Sequence, residues 1–78
     1  MTLTMTRTLD CKGLACPMPI VKTAQAMRLL APGELIEVLA TDPGATKDFA
    51  AWSNATGNAL VETGQDGAVL RFVLKKKG

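Results

Sequence analysis

Eight residues, Glu34 to Thr41, read Glu-Leu-Ile-Glu-Val-Leu-Ala-Thr between two strong breaks, Pro32-Gly33 and Asp42-Pro43-Gly44. Alternation over this run puts Ile36, Val38 and Ala40 on one face and Leu35, Glu37 and Leu39 on the other, which is the signature of a strand. The periods on either side are helical. From Pro17 to about Ala31, the residues Ile20, Ala24, Met27 and Ala31 share one face with Leu30 beside it, while Lys22, Gln25 and Leu29 fall opposite. From Ala45 to Thr56, the residues Phe49, Trp52, Ser53 and Thr56 recur at helical spacing, and Gly57 suits a left-handed cap. A strand between two helices leaves few topologies. Thr6–Cys11 supplies a strand before the first helix, and Lys12-Gly13-Leu14-Ala15 the turn between them. Ala59–Thr63 and Ala68–Lys75 supply two strands after the second helix, joined by the hairpin signal Gly64-Gln65-Asp66-Gly67. The order is βαβαββ. A right-handed first crossover makes the first two strands parallel, and the hairpin adds an antiparallel pair. The expected fold is a two-layer α/β sandwich, with a mixed four-stranded sheet and both helices on one face. Leu35, Leu39, Val69 and Val73 would leave the other face half apolar and open to a partner.

The chain of 78 residues fits a single domain, 1–78, with residues 1–4 expected to hang loose and Met5 offering a second start. Hydrophobic residues make up 47%, too many for a disordered chain. A net charge of +2 gives no bulk argument for nucleic acid. No apolar run approaches the ~20 residues of a membrane span, and the N-terminus lacks the apolar core of a secretory signal. Cys11 and Cys16 are too close and too few for a disulfide framework, so a reduced, cytoplasmic setting is expected. Histidine is absent. That excludes a Cys-His dyad, a Ser-His-Asp triad and any histidine metal ligand, and two thiols alone cannot fill a structural zinc site.

Cysteine chemistry here must therefore work without imidazole, and Gly13-Leu14-Ala15-Cys16-Pro17-Met18-Pro19 is where it would work. With Cys16 as N-cap, Pro17 takes N1 and Pro19 takes N3, first-turn positions that tolerate proline. The Met18 N–H is then free to point back at the sulfur, and Gly13 frees the entering turn to present it. A helix terminus favours the anion by roughly 0.3–1 kcal/mol, under one pKa unit, and an N–H bond would add to this. The expectation is a lowered thiol pKa and a sulfur able to act as a nucleophile or to hold a persulfide anion. The plainer alternative is a cysteine that only caps and packs.

Asp10-Cys11-Lys12-Gly13-Leu14-Ala15-Cys16-Pro17-Met18-Pro19, followed by a helix, resembles the Cys-Pro-x-Pro signature of the TusA/SirA-like sulfurtransferase family. The resemblance continues through Thr41-Asp42-Pro43, Asp48, Gly57 and Leu70-Arg71-Phe72-Val73-Leu74-Lys75, with one departure at Asn58, where relatives often carry histidine. It implies a sulfur carrier whose Cys16 takes sulfane sulfur as a persulfide and relays it to an acceptor protein. The pathways open to such a carrier are transfer-RNA thiolation, cofactor sulfuration and sulfur metabolism. It further implies a persulfide donor of the cysteine desulfurase or rhodanese type, and no metal or organic cofactor.

Around Cys16, the residues Gly13, Pro17, Met18 and Pro19 are expected in support. Lys12, Lys22 and the run Lys75-Lys76-Lys77 are candidates for docking an acidic partner, though a solvated tail explains the run as well. Cys11 could resolve a persulfide, but a packed strand end is the simpler reading. Asp42 and Asp48 are read as structural at the start of the second helix, and Phe49 and Trp52 as core. Two rivals differ in class. One is a redox-sensing or regulatory interaction module. The other is a small RNA-binding domain, against which the lack of aromatic stacking residues beside the lysines argues.

Overall fold

The computed structural model describes residues 7–77. The strands are β1 (Arg7–Cys11), β2 (Leu35–Ala40), β3 (Ala59–Asp66) and β4 (Val69–Lys75), and the helices are α1 (Met18–Met27) and α2 (Ala45–Thr56). They form one four-stranded sheet in the order β1-β2-β4-β3. β1 and β2 are parallel, and β4 is antiparallel to both β2 and β3. Thr6, expected in the first strand, and residues 1–4 lie outside the described residues.

Alternation on β2 is as the sequence dictates: Ile36, Val38 and Ala40 are fully buried, and their neighbours are half exposed. Both helices cover this face. Phe49 of α2 stacks on Phe72 of β4 at 4.6 Å between ring centroids and receives Trp52 edge-on at 6.5 Å. Each large side chain so buried contributes about 1.5–3 kcal/mol.

The buried face of α1 is turned from the expected one. Pro19, Thr23, Ala26 and Met27 are inside, Ile20 and Ala24 are half-buried, and Ala31 is exposed. Thr23 can be buried because its hydroxyl donates to the Pro19 carbonyl at 2.7 Å, so no polar group is left unpaired. A hydrophobicity pattern passes over both residues. The helix also ends at Met27, short of Ala31. The N–H groups of Leu29 and Leu30 reach only three residues back, to Ala26 and Met27, a tightened last turn. The ammonium of Lys76 donates to the Met27 carbonyl at 2.8 Å.

The hairpin is tighter than the sequence suggested. Gly64, Gln65 and Asp66 continue the ladder opposite Arg71, Leu70 and Val69, leaving Gly67-Ala68 as the loop. Gly67 has φ +60, which suits the first central position of a two-residue hairpin turn. The second face of the sheet is less apolar than expected. Thr8, Glu37 and Glu62 share one row across the sheet with Val73, and Arg71 reaches this row from two residues along β4. Thr8 Oγ1 donates to Glu37 at 3.1 Å, and Arg71 donates to both Glu37 and Glu62. Val73, register partner of Glu37, is fully covered, while Leu35, Leu39 and Val69 are half-buried.

Candidate functional site

Parallel pairing of β1 with β2 sets Cys11 beside Ala40. The segments that leave the two strands therefore emerge at the same end of the sheet. The first of these carries Cys16. It turns at once: the Leu14 N–H donates to the Cys11 carbonyl at 3.2 Å, with Gly13 at φ +80. The Gly13 N–H reaches across to Thr41 Oγ1 at 2.9 Å and ties this loop to the segment after β2. Gly13 thus serves the turn, as its sequence context indicates.

Cys16 is not the cap of α1. The helix begins at Met18 with Pro17 as N-cap and Pro19 in the second position. The Met18 N–H donates to the Ala15 carbonyl at 2.9 Å. Ala15–Met18 is a turn of its own, with Cys16 and Pro17 at its centre and a cis peptide bond between them. The expected N–H bond to sulfur is absent because that N–H is already committed to the turn. Cys16 is exposed, and Met18 beside it is 41% exposed, so the sulfur stands at the surface with an apolar neighbour. Cys11 has no exposed surface, and burial, first of all, pushes its thiol pKa up. Cys11 packs in the core and offers no sulfur to a partner.

The groups that face Cys16 are acidic. Its Sγ, one carboxylate oxygen of Asp42 and one of Asp48 lie within 4.8 Å of one another. The thiol pKa is raised, first by hydrogen bonding to Asp48, then by loss of hydration, then by the charges of Asp48 and Asp42. This overturns the lowered value expected from a helix terminus. Two carboxylates lie near the sulfur, and the helix starts two residues further on. The three donor atoms fall one short of the four protein ligands of a structural zinc site.

The lysines are elsewhere. Lys12 pairs loosely with Asp10 at 4.0 Å, and Lys22 on α1 acts on Cys11 rather than Cys16. β4 runs antiparallel to β2, so Lys75, opposite Leu35, and the following Lys76 and Lys77 lie at the end of the sheet away from Cys16. They are not a loose tail. The backbone of Lys76 bonds to Gly33 and Glu34, and that of Lys77 to Asn58 Oδ1 at 2.8 Å. Asn58, the departure noted above, therefore holds the far end and takes no part near the sulfur.

Comparison with known proteins gives the family and the fold. A family model described as "Sulfurtransferase TusA" matches residues 7–76. The chain belongs to the TusA sulfurtransferase family. It is 50% identical over 70 residues to the "Putative sulfur carrier protein YrkI" of Bacillus subtilis, covering 90% of this chain and 93% of that one. To the "Sulfur carrier protein TusA" of Allochromatium vinosum it is 41% identical over 68 residues, covering 87% and 90%. It is also 51% identical over 70 residues, 90% of this chain, to YrkF of Bacillus subtilis, but spans only 38% of that longer protein. The solved structure of a SirA-like protein from Desulfitobacterium hafniense superposes with a TM-score of 0.81 at 20% identity, over 94% of this chain and 100% of that one, which shows that the two share a fold.

Asp42 and Asp48 are the residues that sequence reasoning placed as structural and left out of the site. A signal for them existed. Parallel neighbours deliver their following loops to one edge, so a cysteine after the first strand and acids after the second are bound to meet.

Proposed function

We propose that this protein is a sulfur carrier in which Cys16 accepts sulfane sulfur as a persulfide from a donor protein and passes it to an acceptor protein. The observation that carries this reading is the contrast between two thiols: Cys16 exposed in a braced turn, Cys11 sealed in the core. Among the described residues Cys16 lies exposed at the surface, whereas a small-molecule enzyme buries most of its ligand. The substrates are then sulfur atoms held by other proteins, met across a modest and transient interface. A donor of the cysteine desulfurase or rhodanese type fits this chemistry, and a transfer-RNA-thiolating, cofactor-sulfurating or sulfur-metabolising system would consume the product. Among the described residues no helix is long and apolar enough to cross a membrane.

Incubation with a persulfide donor, read by intact mass, tests the assignment. The parent and Cys11→Ser should gain one sulfur, about 32 Da, removable by reductant, and Cys16→Ser should gain none. Equal loading of Cys16→Ser would refute it.

A further inference from the structure

Cys16 is exposed, and the two charges closest to it are both negative. Asp42 lies in the segment between β2 and α2, and Asp48 in the first turn of α2. An acid at a helix start has an ordinary use, to cap or to balance the dipole. Here the N-cap of α2 is Gly44, with no side-chain cap bond. Among the described residues, neither carboxylate takes part in an ion pair. Gly44 leaves room beside Asp42. A Cβ added there would meet Asp42 Oδ2 at 3.3 Å and Asp48 Oδ2 at 3.9 Å. Its φ of −78 is open to any residue, so what the glycine supplies is space. Of the cations near the loop, Lys12 pairs loosely with Asp10, and Lys22 is not among the charges that act on Cys16. Two carboxylates so close to a sulfur oppose a third negative charge and leave a small, unneutralised acidic patch beside it.

We propose that Asp42 and Asp48 hold Cys16 as the neutral thiol in the free protein, and that a lysine or arginine of the docking partner, set against the pair, releases it. The inference rests on Cys16 being the sulfur acceptor. Once the pair is neutralised, Cys16 loses its proton to solvent. Its thiolate bonds to the outer sulfur of the donor's Cys–S–SH, the donor S–S bond breaks, and the electron pair leaves on the donor thiolate, which takes up a proton. No oxidant is consumed. Off the partner, a neutral thiol reacts slowly with stray disulfides and oxidants, because the thiolate is the reactive form. The same contact that recognises the partner turns the sulfur on.

Parent, Asp48→Asn, Asp42→Asn and the double variant are compared in three assays. The first is the pH dependence of alkylation by iodoacetamide. Its midpoint should fall in Asp48→Asn, with a several-fold faster reaction at pH 7; an unchanged or higher midpoint overturns the proposal. The second is reaction with methanethiosulfonate reagents bearing either trimethylammonium or sulfonate. The cationic reagent should be favoured in the parent, and this preference should shrink several-fold in the double variant and with added salt. Equal rates with the two reagents in the parent overturn the proposal. The third is sulfur loading from a protein persulfide donor. It should slow in the double variant although its thiol is more ionised, and loading as fast as the parent's overturns the partner half. Failure of the carrier reading shows separately, as loading of Cys16→Ser, and leaves the alkylation results standing.

Discussion

Two residues, Cys16 in the loop after β1 and Glu37 on the sheet, carry opposite pH signatures. Cys16 is an acid whose ionised form the fold disfavours, chiefly through Asp48. Its alkylation midpoint should therefore lie above that of an ordinary thiol, ~8.5. The native state should lose some stability above that pH, since the unfolded chain ionises first. A rate profile against pH on Cys11→Ser isolates the group, and a midpoint below ~8 would contradict the acidic setting. Glu37 is the reverse case. Arg71, first of all, and Thr8 hold its carboxyl below the usual range. Its contribution is present above the unfolded value of ~4.3 and is lost as pH falls through the lower folded value. Glu37→Gln should cost about 0.5–1.5 kcal/mol at pH 7, and the difference from the parent should shrink toward pH 3. Urea titrations at the two pH values read this directly, and equal costs at both would break the link to ionisation.

The two helices end in different ways, and each end can be tested. α1 has no basic residue in its last turn. The missing cation comes from the far end of the chain, as Lys76 on the Met27 carbonyl. Lys76→Met should cost about 1 kcal/mol, which for a domain of this size lowers Tm by about 4–8 °C. α2 ends on Gly57 at φ +82, where a Cβ would come within 2.9 Å of the Lys77 side chain. Gly57→Ala should cost about 1–2 kcal/mol from the left-handed conformation alone. Neither change touches the Cys16 turn. Persulfide loading of both variants should match the parent below their melting range, and a loading defect would show that the two ends of the sheet are coupled.

Over the whole molecule, the sheet separates the sulfur from the lysine run. β2 has six residues, which at ~3.3 Å each span about 20 Å. That exceeds the Debye length of about 8 Å at physiological salt, so charges at one end scarcely act at the other. Lys75→Glu combined with Lys77→Glu should leave donor loading within about twofold of the parent at that salt. A tenfold loss would place partner contacts at the far end and return those lysines to the docking role first read from the sequence. At the near end the proposed partner contact is the acidic pair, with Met18 exposed beside the sulfur.

The sequence by itself determined what is local. The alternation of β2, the twelve residues of α2 and the left-handed Gly57 all follow from short-range periods and glycine punctuation, and the structure has them as read. The cysteine set among prolines, and the lack of histidine, likewise narrowed the chemistry before any fold was known. What lay beyond it were choices made by packing and by distant partners. Met18 gave its N–H to Ala15 instead of to the sulfur, because a turn closed before the helix began. Thr23 went inside, because a carbonyl one turn back could satisfy its hydroxyl. The sign of the field at Cys16 was decided by Asp42 and Asp48, far along the chain. Only the parallel pairing of β1 and β2 brings them to the sulfur, and electrostatic energy depends on distance in space, which sequence spacing does not record.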